Sequence, residues 1–205
     1  TMGRHDGYGI PTIKPWVNEI AIEKIKRALA LNPVAIAMDV DAAGLASLKK
    51  TPTPIAFKTL EDLKTIKEQI HVPFIVKGIM TIEDAEIALL AGADAIVVSN
   101  HGGRVMDEGI STIEVLEGIA DFVAKRCLVL TDGGYRSGYD VFKALALGAD
   151  GVLIGRPYSH AAIGGGSEGV AIYTKQLIAE LEDAMRMTGC VTLKEIRRKT
   201  INVGF

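Results

Sequence analysis

His101 and Arg104 stand three residues apart with two glycines between them, in the run Ser99-Asn100-His101-Gly102-Gly103-Arg104. An imidazole titrates near neutral pH and serves as a base, while a guanidinium is a permanent cation whose planar fork matches a carboxylate. The glycines let the backbone turn tightly enough to bring both groups to one mouth. Two further runs carry a different chemistry. Asp132-Gly133-Gly134-Tyr135-Arg136 and Gly155-Arg156-Pro157 set open backbone N–H groups beside guanidinium groups, a combination that suits phosphate. Taken alone, each is also the composition of an ordinary turn between elements. Lys77 ends an apolar run, where an ammonium either meets an anionic ligand or snorkels at a rim. Asp39 carries the same two readings, as does Asp41, two residues on and on the same face of a strand. Asp107, just past Arg104, reads as a brace for that loop. His5, His71 and His160 lack such company and read as structural or solvent-exposed.

The elements that must position these groups are short. Residues 34–38, 74–77, 95–99, 128–131 and 151–154 are almost continuously apolar and rich in β-branched types, as parallel strands covered on both faces require. Amphipathic stretches at 60–69, 82–91, 113–124, 138–147 and 167–187 read as helices, with a short terminal helix at 193–199. Thr81 precedes the second of these, with Asp84 three residues on in a capping-box relation. Gly92 and Gly148 end helices by supplying a left-handed turn. The runs that begin at Ala88 and Ala144 are near copies, 56 residues apart, a weak internal repeat that suits successive βα units.

Strand-helix alternation leaves a (β/α)8 TIM barrel or an open doubly wound sheet. No GxGxxG follows the first strand, and Asp39, Lys77, His101, Asp132 and Arg156 all fall at or past the C-terminal ends of strands, the rim where barrels carry their sites. Phosphate in such barrels rests on the loops after strands seven and eight, so the five readable strands count as strands 4–8 of one partial barrel domain spanning 1–205. A whole barrel takes about 250 residues. Five strands would expose two unpaired edges. The chain therefore reads as the C-terminal piece of a longer polypeptide, completed by an N-terminal segment or by another chain.

Composition excludes several partners. The balance of 23 basic against 25 acidic residues provides no broad field for nucleic acid or an anionic membrane surface. No apolar run approaches the roughly 18 residues of a membrane span, and residues 1–8 are polar, without the apolar core of a secretion signal. Cys127 and Cys190, with no CxxC spacing, offer neither a disulfide framework nor a thiolate metal site, so no metal and a cytoplasmic location are expected.

The run Pro73-Phe74-Ile75-Val76-Lys77-Gly78, followed by Ser99 to Arg104 with Asp107, by Asp132 to Arg136 and by Gly155-Arg156-Pro157, resembles the FMN-dependent 2-hydroxy-acid dehydrogenase and oxidase family, whose members include lactate oxidase and glycolate oxidase. The resemblance covers about 34–200 and implies a mechanism. His101 would take a proton from a small 2-hydroxy acid as two electrons pass to the flavin, Asp39 would orient and stabilise the imidazolium, and Arg104 would clamp the substrate carboxylate. Lys77 would lie beside the reducible flavin ring, with Ser99 in the same cofactor set. The FMN phosphate would rest on Gly134, Arg136, Gly155 and Arg156, with Asp132 and Gly133 holding that loop. The resemblance further implies a homo-oligomer, often a tetramer.

Departures from the pattern fall on the substrate side. Ala46 stands where the family usually has an arginine, Asp41 where it has a proline, and Val105 where it has a glutamine. Residues 8–16 have no simple counterpart in the well-known oxidases and suggest a divergent bacterial branch. Two competing readings remain: another flavin or phosphate-binding barrel, such as an isomerase without net oxidation, and a fragment that keeps phosphate turns without turnover. A base beside a carboxylate clamp favours the hydroxy acid.

Overall fold

Six short parallel strands, each flanked by its sequence neighbours, build the sheet in the order β1-β2-β3-β4-β5-β6. The computed structural model describes residue 6 and residues 8–201; His5 lies outside them. The strands are β1 (Thr12–Ile13), β2 (Ile36–Asp39), β3 (Phe74–Ile79), β4 (Ala95–Val98), β5 (Leu128–Thr131) and β6 (Gly151–Val152). A doubly wound sheet reverses its strand order at a switch point, and this one never does; monotonic order is the signature of a barrel wall.

The expected count of five strands becomes six among the described residues. Strand β1 escapes a reading by periodicity because it is two residues long between Pro11 and Pro15, yet it pairs in register, Thr12 with Ala37 and Ile13 with Met38. The segment 8–16, which looked like a feature without a counterpart, therefore carries part of the wall. Helix α1 (Asn18–Leu29) is likewise an addition. Its buried residues Ala21, Ile25 and Leu29 recur every fourth position, but Val17 provides no side-chain cap to mark its start.

Helices α2 (Ala46–Lys49), α3 (Leu60–Lys67), α4 (Ile82–Leu90), α5 (Thr112–Val123) and α6 (Gly138–Ala146) follow, close to the expected bounds where one was read. Thr81 accepts a hydrogen bond from the Asp84 N–H at 3.0 Å, one arm of the expected box. Helix α7 (Arg156–Thr188) begins eleven residues before the expected start, with Pro157 in its first turn, and breaks at Gly166, so that its second limb starts at Ser167. The terminal helix expected at 193–199 is instead two short 3-10 turns, Leu193–Glu195 and Arg198–Thr200. Among the described residues no helix is long and apolar enough to cross a membrane.

Strand alternation divides the core. Ile36, Met38, Phe74, Val76, Ile96, Val98 and Val129 pack outward against the helices, with Ile25, Ile66, Leu116 and Ile119 opposite them. Ala35, Ala37, Ile75, Ala95 and Val97 form a separate cluster on the other face, which is the barrel interior. Continuing that inner row by two residues at each strand end reaches Asp39, Lys77 and Ser99.

The internal repeat is structural as well. Gly92 and Gly148 adopt φ of 80° and 104°, and the following aspartates make matching bonds. Asp94 accepts from the Phe74 N–H at 2.8 Å and pairs with Lys67; Asp150 accepts from the Val129 N–H at 2.9 Å and pairs with Lys125. Each tethers the end of one helix to the start of the preceding strand.

Candidate active site

Asp39 and Lys77 are direct register partners on β2 and β3, which puts a carboxylate and an ammonium side by side at the inner rim. Lys77 Nζ lies 3.1 Å from Asp39 Oδ1, 3.3 Å from Asp132 Oδ2 and 2.8 Å from Ser99 Oγ. Burial works against its charge, but Asp132, then Asp39 and Asp41, outweigh that and raise its pKa. Asp39 is 3% exposed. Burial pushes its carboxyl up; a hydrogen bond from Lys14 and the charges of Lys77, Lys14 and His101 overcome it, so its pKa lies below the ordinary value. Both groups are held ionised in a site where charges are poorly hydrated.

His101 is buried, and its backbone is left-handed at φ 58°, followed by Gly102 at 67° and Gly103 at 77°. A non-glycine residue at positive φ is costly, and three in succession form the tight turn that aims the imidazole inward. Asn100 braces this turn by accepting from the Gly102 N–H at 3.0 Å. A Cβ on Gly102 would stand 2.6 Å from the Arg156 guanidinium, which donates to the Gly102 carbonyl at 3.0 Å.

Two carboxylates, those of Asp39 and Asp41, approach His101. Asp41 has both carboxylate oxygens 3.1 Å from His101 Nδ1, and Asp39 Oδ2 lies 3.8 Å from Nε2. Asp41 reaches the ring because the chain turns at Val40–Gly44 and because β3 makes room. Gly78 sits at a register shift in that strand with φ 105°, and a Cβ there would come within 2.7 Å of Asp41 Cβ and Cγ. A carboxylate only accepts, so the contact with Asp41 is made by a proton on Nδ1, in the neutral ring and the imidazolium alike.

Lys14 is a site residue that the sequence reading missed. It follows directly on β1, next to Asp39 across the strand pair, and its Nζ lies 2.5 Å from Asp39 Oδ2. Its place after the Thr12–Ile13 strand parallels that of Lys77 within β3, but a two-residue strand leaves no period in the sequence to show it. Asp39, Asp41 and His101 also offer ligand atoms within 4.8 Å of one another, but the ammonium groups of Lys14 and Lys77 already supply cations to Asp39.

Lys14, Asp39, Lys77 and His101 line one cavity of about 610 Å³, within the range of small-molecule and cofactor sites. Arg104 reaches its wall and donates from Nε to the His101 carbonyl at 3.1 Å. The far end is made by Gly133, Gly134, Arg136, Gly155 and Arg156. Here the structure leaves room for a phosphate: nothing lies within 4 Å of where a Cβ would stand on Gly134 or Gly155, and both arginines are exposed beside them. Thr112 fastens the loop by donating to the Asp132 carbonyl at 2.7 Å. Between the two ends, Asp132 Oδ1 is buried without a hydrogen-bond partner, an acceptor suited to a hydroxyl-bearing ligand. The donor set therefore fits a cofactor with a phosphate, a polyol linker and a ring that gains negative charge beside Lys77, as FMN has. Asp107 lies against Gly103, its Oδ1 3.2 Å from where a Cβ would stand, consistent with a brace; His71 and His160 are exposed and outside the cavity.

A model of the family "FMN-dependent dehydrogenase" matches residues 51–203. The chain is 37% identical over 199 residues to 4-hydroxymandelate oxidase of Amycolatopsis orientalis, covering 93% of this chain and 56% of that protein. It is 46% identical over 140 residues to L-lactate oxidase of Lactobacillus jensenii, covering 68% of this chain and 34% of the relative. A solved structure of a mandelate oxidase variant with the monooxide FMN adduct superposes with a TM-score of 0.81 at 37% identity, covering 93% of this chain and 62% of the other. The chain thus spans less than two thirds of these relatives. With strand order, rim chemistry and sequence in agreement, the chain belongs to the FMN-dependent dehydrogenase family.

Proposed function

We propose that the protein oxidises a small 2-hydroxy acid, lactate- or glycolate-like, to the 2-oxo acid with FMN as its cofactor. The observation that carries this reading is the Asp41-His101 pair: one ring nitrogen is fixed by a carboxylate at 3.1 Å, and Nε2 has no hydrogen bond among the described residues. FMN, when bound, supplies an acceptor for two electrons. The chain's own residues supply the rest. Arg104 holds the substrate carboxylate, His101 Nε2 takes the hydroxyl proton, and Asp41 stabilises the imidazolium that results. Lys77, kept charged by Asp132 and Asp39, presents a fixed ammonium where negative charge accumulates on the cofactor ring. Arg136 and Arg156, with the open N–H groups around Gly134 and Gly155, bind the phosphate, and Asp132 Oδ1 accepts from the linker.

Purified holoprotein is expected to be yellow and to bleach anaerobically on addition of lactate, glycolate or a longer 2-hydroxy acid. Retained colour across that panel would overturn the oxidation and favour a flavin isomerase.

A further inference from the structure

Lys14 stands apart from the rest of the site because the carboxylate it pairs with already has a cation. Asp39 meets Lys77 through Oδ1 and Lys14 through Oδ2, and that second oxygen is the one 3.8 Å from His101 Nε2. The ammonium of Lys14 and the free nitrogen of the base therefore share one oxygen as neighbour. Lys14 is also the more accessible cation. Its side chain is 31% exposed against 14% for Lys77, and it lines the cavity on the same wall as Asp39 and His101.

Charge around the base shows what this second cation does. Asp39 and Asp132 come from strand ends and Asp41 from the turn after β2; Lys14, Lys77 and Arg104 face them from β1, β3 and the His101 loop. Without Lys14, Asp39 Oδ2 would have no ammonium against it. A ligand whose anionic end must come close to Nε2 would then meet the uncovered Oδ2 of Asp39, whose other oxygen alone keeps its cation, Lys77. A neutral ligand would not meet that repulsion.

We propose that Lys14 is a substrate-positioning residue, which covers the Asp39 carboxylate beside His101 and so makes the site accept the carboxylate group of a 2-hydroxy or 2-oxo acid. The inference rests on the hydroxy-acid reading and adds a specificity element contributed by β1.

The test compares binding of pyruvate with that of uncharged lactamide, each followed by perturbation of the flavin spectrum in the FMN-loaded holoprotein and by calorimetry. Lys14→Met is expected to weaken pyruvate binding about five- to tenfold, the scale of one partly screened charge pair, while lactamide binding stays within about twofold. KM for the 2-hydroxy acid should rise in proportion, with a smaller change in kcat, and Lys14→Arg should restore most of the loss. Equal losses for both ligands would mark Lys14 as a structural residue and overturn the inference, as would unchanged pyruvate binding. A wild-type holoprotein that binds neither ligand, nor is reduced by any 2-hydroxy acid, would defeat the hydroxy-acid reading itself and this inference with it.

Discussion

The two ends of the cavity are built on opposite plans. At the base end, side chains from four strands and two turns lock onto one another: Lys14, Asp39, Asp41, Lys77, Ser99 and His101 are joined by contacts of 2.5 to 3.8 Å. At the other end, glycine turns leave open space at Gly134 and Gly155, Arg136 is exposed beside them, and Arg156 reaches back to the Gly102 carbonyl. The first arrangement fixes protonation states and ring orientation before a ligand arrives, which proton transfer requires. The second leaves its donors free because the ligand itself is to complete them. A change at the base end should therefore alter chemistry, and a change at the phosphate end should alter retention.

The largest effect is expected for His101→Ala. Loss of the base should slow anaerobic flavin reduction by about 10²- to 10⁴-fold, with FMN still bound after gel filtration. Reduction at the wild-type rate would remove His101 from the chemistry and erase the contrast between the two ends. Arg136→Ala should invert the pattern, raising the FMN dissociation constant about tenfold, the scale of one lost charge-assisted hydrogen bond, with a much smaller change in reduction rate than His101→Ala. Flavin affinity equal to wild type would take that arginine out of the phosphate site.

The smallest effect sharpens the account of the base end. Because the folded-state pKa of Asp39 is depressed, its stabilising contribution is present above the ordinary value of 3.8 and is lost as pH falls through the lower folded value. Lys77 has the opposite sign: its folded pKa is raised, so its contribution is present below 10.5 and is lost as pH rises through the higher folded value. Thermal melts of Asp39→Asn should lose less stability than wild type between pH 4 and pH 2, by a few degrees. An acid limb identical to wild type would show that Asp39 is not held by Lys14 and Lys77 in solution.

Much of the site was legible because strand alternation is a strict code. Once 34–38, 74–77 and 95–99 are taken as strands, Asp39, Lys77 and Ser99 must share the inner face, and the glycine turns must follow the strand ends. The phosphate loops were readable for a similar reason, since glycine and arginine carry their chemistry locally. Helix α7 was read only in its second limb, because three consecutive glycines at 164–166 argue against a helix, and the structure does break at Gly166. Strand β1 was illegible because two residues carry no period; its identity comes wholly from its pairing with β2.

By itself the sequence determined an α/β chain with a histidine, an arginine and glycine-arginine turns at successive strand ends, because residue type and local spacing suffice for each. Only the tertiary structure decided how each carboxylate meets His101, Asp41 at Nδ1 and Asp39 on the Nε2 side. Asp39 and Asp41 lie two residues apart and point to the same side, so no periodic argument separates them. Asp41 reaches Nδ1 because a bulge at Gly78, on a different strand, leaves the space a Cβ would fill; Asp39 is drawn to Lys14, 25 residues earlier, by strand pairing. Both outcomes are lateral contacts between strands, and lateral distance is a property of the assembled sheet.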